Sequence, residues 1–155
     1  MSTGASPEAG VAAAGMQDAD DGFPRHGDKR VDAWIQHAKA HDSGFLRDVL
    51  AADAVFHSPV VHTAQVGRDK VFGYLDAAGH VFAGSGFRYD RVIVDGDEAV
   101  LEFSAEKNGI HINGIDMIRW NADGKISNFK VMVRPLKAVH MLWEEMGAQL
   151  NAAGG

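Results

Sequence analysis

The 155 residues contain no cysteine, which excludes disulfides and thiol catalysis. Long apolar runs are missing as well. None approaches the roughly 18 residues needed to cross a bilayer, and the N-terminus has neither the basic start nor the continuous apolar core of a signal peptide. The expected location is therefore cytoplasmic. Positive charge is in short supply: 15 Lys and Arg stand against 21 Asp and Glu, for a formal charge of −6. With the two signs interspersed, neither nucleic acid nor an anionic membrane is an expected partner. The chain also lacks a phosphate loop and a dinucleotide fingerprint, so no cofactor is expected.

Large hydrophobes are nearly absent from Met1 to about Gly27, where Gly, Ala, Ser, Asp and Pro dominate. Such a stretch has too little to bury to offset its ordering entropy. The expectation is a disordered tail over 1–27, one domain over 28–150 and a frayed Gly-rich end over 151–155. Met16 is a second candidate start.

What is present after Asp28 has clear periodicity. Val31, Trp34, Ile35, Ala38 and His41 recur at three and four residues, the spacing of a helix that covers a core, with Asp28 as N-cap. Asp42 or Ser43 can cap a second, shorter helix through Phe45, Leu46, Val49 and Leu50. A short strand over Ala54–Ser58 ends at Pro59, and a third helix is predicted over Arg68–Phe82. From Phe87 the period is two for about fifty residues, which predicts strands over Phe87–Val94, Ala99–Lys107, Ile110–Trp120 and Ile126–Arg134. Asn108-Gly109 is the sequence favoured in a tight hairpin turn. A final helix from Leu136 to about Leu150 carries Val139, Trp143 and Met146 at helical spacing, with Trp143 and Met146 placed to close a mouth. The predicted class is α+β: a cone-shaped, curved antiparallel sheet with three N-terminal helices packed on it and a C-terminal helix.

The third of these strands carries the strongest functional signal. Ile110, Ile112, Gly114, Asp116, Ile118 and Trp120 share one face, so a carboxylate lies among large apolar side chains. A buried carboxylate must be neutral, paired or hydrogen-bonded, and one that lines a cavity is a candidate acid or base. Pairing with an arginine such as Arg134 is the alternative reading.

The order of elements, the stretch Ala54-Val55-Phe56-His57-Ser58-Pro59 and the later Gly114-Ile115-Asp116-Met117-Ile118-Arg119-Trp120-Asn121-Ala122-Asp123-Gly124-Lys125-Ile126 resemble the nuclear-transport-factor-2-like superfamily, its SnoaL-like branch above all. The resemblance spans roughly Val31 to Pro135. It implies isomerase, cyclase, lyase or non-catalytic binding functions without choosing among them, and it implies a homodimer through the outer face of the sheet, where His111, Asn113, Ile115, Met117 and Arg119 stand. Ketosteroid isomerase, of the same superfamily, uses an aspartate base, a tyrosine and a protonated aspartic acid. By that resemblance the protonated acid falls on Asp116, while Ser58 takes the place of the base and Trp34 that of the tyrosine. The same analogy turns Leu101, Phe103, Ile112, Ile118, Trp120, Phe129, Val131 and Val133 into the cone.

Two readings of different class follow. One is a SnoaL-like isomerase, cyclase or lyase acting on an apolar carbonyl compound, with Asp116 as acid/base and Trp34, Ser58, His62, Tyr74, Phe103, Ile118, Trp120, Phe129 and Val131 holding the substrate. The other is a non-catalytic small-molecule-binding or assembly module of the same fold. A second titratable group within hydrogen-bond reach of Asp116 favours the first. His37 and His41 stand at i and i+4, a spacing for two metal ligands, yet no zincin signature surrounds them and no metal is expected.

Overall fold

The computed structural model describes residues 21–154. Helix α1 (Lys29–Ala40) starts at Asp28, whose carboxylate accepts from the amides of Arg30 and Val31, a cap of the kind that stabilises a helix by about 1 kcal/mol. Asp42 caps α2 (Ser43–Val49) through the amide of Phe45. After strand β1 (Leu50–His57) come the short β2 (Gln65–Val66), helix α3 (Arg68–Phe82), strands β3 (Arg88–Asp95), β4 (Glu98–Lys107), β5 (Ile110–Trp120) and β6 (Ile126–Arg134), and helix α4 (Leu136–Gly154).

The six strands form one sheet in the order β2-β1-β6-β5-β4-β3. From β6 to β3 it is the antiparallel meander expected. The prediction of an antiparallel sheet throughout is corrected by β1, which runs parallel to β6, with a register irregularity between Leu50 and Val55. Periodicity reports strands and says nothing of their direction. It also missed β2, which is only two residues long, and the first half of β1, where Leu50-Ala51-Ala52 reads as a continuing helix. At the β4–β5 hairpin Asn108 (φ 55°) and Gly109 (φ 76°) both adopt the left-handed conformation that a two-residue turn requires.

Burial along β5 alternates as the pattern predicts: Ile112, Gly114, Asp116, Ile118 and Trp120 are buried, and His111, Met117 and Arg119 are exposed. Val31, Trp34 and Ile35 of α1, Val71 and Leu75 of α3, and Ala138, Met141 and Leu142 of α4 join this face in one core. Burying each large side chain there is worth roughly 1.5–3 kcal/mol. Of the stripe expected on α4, Met146 packs against the core and Trp143 does not. Trp143 is 63 % exposed and closes nothing, because Ala138, Met141 and Leu142 are the residues turned inward. The helix also continues to Gly154, past the predicted end at Leu150.

Residues 1–20 of the expected tail lie outside the described residues. Residues 21–27 are seated on the domain: the Gly22 carbonyl accepts from the Tyr89 amide at 2.9 Å, Phe23 packs against the core, and Asp21 pairs with Lys39 at 2.7 Å. Phe23 is the large hydrophobe that anchors this stretch. Gly22 lies so close to β3 that a Cβ there would stand 2.6 Å from that of Arg88. Among the described residues no helix is long and apolar enough to cross a membrane.

Candidate active site

Three elements converge on Asp116. β5 places its side chain on the buried face, opposite Leu101 of β4 and Val131 of β6. The first residues of β3 place Tyr89 beside it, and the phenol donates to Asp116 Oδ2 at 2.6 Å. From α1 the indole of Trp34 donates through Nε1 to the Tyr89 oxygen at 2.9 Å. Trp34, Tyr89 and Asp116 are all buried. The chain of donors fixes where protons go: Tyr89 has one proton and gives it to Oδ2, so a protonated Asp116 carries its own on Oδ1. Oδ1 accepts no hydrogen bond from the described residues.

Among the described residues no cation offsets this carboxylate. Arg134 reaches Asn113 instead, at 3.3 Å, so the pairing considered from the sequence does not form. Burial raises the pKa of Asp116 to about 7, and the Tyr89 hydrogen bond offsets only part of that rise. The Tyr89 phenol is pushed up as well, first by burial and then by the neighbouring carboxylate. At neutral pH Asp116 is therefore divided between acid and base, while Tyr89 stays a donor.

Asp116 lines a cavity of about 350 Å³, near the lower end of small-molecule sites. Its walls include Trp34, Phe56, Leu75, Phe82, Phe87, Tyr89, Phe103, Phe129, Val131 and Met146, with Ser58, His37 and His41 as further polar groups. Gly114 makes room for one wall. It pairs across β4–β5 with Phe103, and a Cβ at 114 would sit 2.5 Å from the Phe103 ring and 2.4 Å from the Met132 carbonyl oxygen. His37 is held by the Asp42 amide, which donates to Nδ1 at 3.1 Å and leaves Nε2–H as the ring's donor. Burial, and then the adjacent His41, lower its pKa, so the ring is neutral.

Of the residues named from sequence, Trp34, Ser58, Phe103, Asp116, Phe129 and Val131 share this cavity. The others do not line it. His62 is exposed in a second depression with His57, Lys130 and Met132. Tyr74 packs on Phe56 at 5.5 Å between ring centroids and is not part of the cavity wall. Ile118 and Trp120 are core residues further along β5, and Arg30 stacks on Trp120 at 5.2 Å. Each keeps the face the alternation assigned; alternation does not say how far along a strand the cavity extends. Leu101 and Ile112 likewise belong to the core rather than to the wall.

Tyr89 is the residue the sequence reading missed. Its signal was a change of phase: Phe87 and Tyr89 face inward at odd positions, Val92 and Val94 at even ones. The structure explains it by a register shift between Tyr89 and Arg91.

No curated protein matches the chain. Among solved structures, a steroid delta-isomerase from Pseudomonas aeruginosa is similar at 38 % identity and a TM-score of 0.75, over 80 % of this chain and 90 % of that one. A protein with a cystatin-like fold from Silicibacter pomeroyi DSS-3 follows at 30 % identity and a TM-score of 0.72, over 78 % of this chain and 84 % of that one. An NTF2-like protein from Mesorhizobium loti shares the fold at 19 % identity and a TM-score of 0.60, over 68 % and 91 % of the two chains. The model of the SnoaL-like domain matches residues 31–129, the span that holds Trp34, Tyr89 and Asp116, and the chain belongs to that family.

Proposed function

We propose that the protein is an acid–base enzyme for an apolar carbonyl compound, an isomerase, cyclase or lyase in which Asp116 moves the proton. The observation that carries this reading is the Tyr89–Asp116 hydrogen bond at 2.6 Å beside an apolar cavity, with the pKa of Asp116 raised to about 7. A group poised there serves as base or acid at neutral pH. In the ionised form Oδ1 takes the proton from the carbon next to the substrate carbonyl, and the electron pair moves to the carbonyl oxygen as an enolate. Ser58 and neutral His37, both on the cavity wall, can donate a hydrogen bond to that oxygen. The proton on Oδ1 then returns to a different carbon, or the enolate carbon attacks a second carbonyl, the ring closes, and the proton on Oδ1 passes to the alkoxide so formed. Tyr89 remains a donor to Oδ2 throughout and keeps the carboxylate in place.

The steroid delta-isomerase relative makes a 5-ene-3-ketosteroid one probe. Little turnover of it is expected, since Ser58 stands where the resemblance to ketosteroid isomerase puts the base. The general test is deuterium uptake from D2O next to the carbonyl in a panel of cyclic and aryl ketones, followed by NMR. Exchange by the wild type that is lost in Asp116→Asn is the expected result. If no ketone exchanges faster with the wild type than with Asp116→Asn, the cavity is a binding site without chemistry. Homodimerisation through the outer face of the sheet belongs to the same proposal: Ile93, Met117 and Met132 are exposed there. Sedimentation as a monomer at micromolar concentration counts against it.

A further inference from the structure

We propose that His41, Asp76 and His80 form a binding site for one divalent transition-metal ion at the edge of the cavity. The site does not use Asp116 and does not depend on the proposed chemistry. Asp76 and His80 are one turn apart on α3, and His41 approaches them from the C-terminal end of α1. Their ligand atoms all lie within 4.8 Å of one another. His41 Nε2 is 3.3 Å from Asp76 Oδ1, and His80 Nε2 is 3.6 Å from Asp76 Oδ2. An ion bonded at about 2.0–2.2 Å to each holds its ligands roughly 3.3–3.5 Å apart. The two rings thus approach the two oxygens of Asp76 at close to that spacing, and His80, with a side chain 55 % exposed, is free to turn so that one ion meets all three residues.

Three further observations single out His41. Its Nε2 is buried and has no hydrogen-bond partner among the described residues, a costly state for a ring nitrogen. The nearby Asp76 oxygen lies outside hydrogen-bond geometry, so an ion pair alone leaves this atom unsatisfied, whereas a metal takes its lone pair. Its backbone is left-handed (φ 50°), a conformation favoured by glycine at a helix end, so the ring is held where it is at a cost. Gly79 provides the seat: a Cβ there would stand 2.1 Å from His41 Cε1. Asp76 is oriented in turn by Ser43, whose Oγ donates to Oδ1 at 3.0 Å, the support that metal-binding carboxylates commonly receive.

Two imidazoles and one carboxylate select Zn²⁺, Ni²⁺, Co²⁺ or Fe²⁺ over Mg²⁺ and Ca²⁺, which prefer all-oxygen surroundings. His41 and Gly79 are also part of the cavity wall, so the ion stands beside the space that Asp116 lines.

Calorimetric titration of the chelator-stripped full chain with Zn²⁺ tests the proposal, with Co²⁺ absorption as an independent reading of the ligand set. One ion per chain is expected, bound in the micromolar range or tighter. His80→Ala and Asp76→Asn should each weaken it at least about tenfold, and Ser43→Ala by a similar factor through the carboxylate it orients. His80 is at the surface, so its loss leaves the fold intact, and Asp116→Asn should not alter the titration. Absence of saturable Zn²⁺ uptake overturns the proposal. So does uptake that persists unchanged in His80→Ala and Asp76→Asn, which would place the ion on other histidines.

Discussion

The two faces of the sheet hold carboxylates under opposite conditions. Asp116 on the inner face sits across from Leu101 and Val131, meets no cation among the described residues, and has its pKa raised by burial. Glu102 is one residue on from Leu101 and therefore on the outer face. It accepts from Arg91 at 2.7 Å, and the Arg91 hydrogen bond, with help from Asn113, lowers its pKa. Arg119 and Glu98 make a second such pair, with Arg119 Nε donating at 2.8 Å. The chemistry of the two acids is nearly identical and their chain positions are adjacent in the sheet. The face decides whether each is a solvated partner or a proton carrier, and a single step in strand phase decides the face.

The largest expected effect comes from removing the charge on the inner face. Asp116→Asn should abolish deuterium exchange, a loss of roughly 10²–10⁴-fold if the acid–base reading holds. It should also stabilise the fold at pH 8. The folded pKa, about 7, lies above the ordinary 3.8, so the native state holds the extra proton between those values. The contribution of the group is thus full below the unfolded pKa and is lost as pH rises through the folded one. At about 1.4 kcal/mol per pKa unit the upper bound is about 4 kcal/mol. Urea midpoints at pH 5 and pH 8 check this: wild type should lose stability relative to the Asn variant at the higher pH. A variant that is less stable than wild type at pH 8 would mean that Asp116 is held ionised.

A smaller effect is expected from filling the space next to that acid. Gly114→Ala pushes a methyl group into the Phe103 ring and the Met132 carbonyl. Overpacking of this kind costs roughly 1–3 kcal/mol, and here the backbone oxygen has little room to yield. Loss of stability should be accompanied by weaker ligand binding, because Phe103 moves into the cavity. The same methyl on the opposite side of the sheet would meet solvent.

Much of this was legible in the sequence, and what was not has a physical reason. Period-two alternation assigned the inner face of β5 residue by residue, since a strand has only two faces to choose between. The Asp28 cap and the choice of Asp42 or Ser43 for the next helix followed from local chemistry, and the extent of α3 followed from helical spacing. Alternation could not show that β1 runs parallel to β6, because both directions use the same period. It could not place Ile118 and Trp120 outside the cavity, because depth along a cone depends on how the helices close it. The partnership of Tyr89 with Asp116 spans 27 residues and depends on the register shift in β3, and Trp34 joins from 55 residues away. The His41, Asp76 and His80 cluster is similar: the i, i+4 pair considered from sequence, His37 and His41, has one ring held by the Asp42 amide and the other turned toward α3.

Tyr89→Phe sharpens the comparison from within the inner face. It deletes the hydrogen bond that holds the Asp116 pKa down and leaves the Trp34 indole without its acceptor. A cost of about 1–3 kcal/mol is expected for the stranded buried donor. The pH at which stability declines should move upward, because desolvation then acts on Asp116 unopposed. A midpoint that stays in place or moves down would remove Tyr89 from the acid–base assembly and leave it a packing residue.

The smallest effect is expected on the outer face, and there the sign reverses. The folded pKa of Glu102 lies below its ordinary 4.5, so its contribution to stability is present above the unfolded pKa and is lost as pH falls through the folded one. Glu102→Gln should leave the urea midpoint nearly unchanged at pH 8, the usual result for a solvent-exposed pair. Whatever difference exists should shrink in high salt. As pH falls through that lowered folded pKa, wild type and variant should converge, because the wild-type side chain becomes neutral as well. Asp116→Asn behaves in the opposite way, converging with wild type in acid and gaining on it as pH rises. If instead Glu102→Gln stabilised the fold at pH 8, Glu102 would have to be desolvated like Asp116, which a partner copy covering the outer face of the sheet would accomplish. The same titration repeated at several protein concentrations separates that case, since only burial by a second copy depends on dilution.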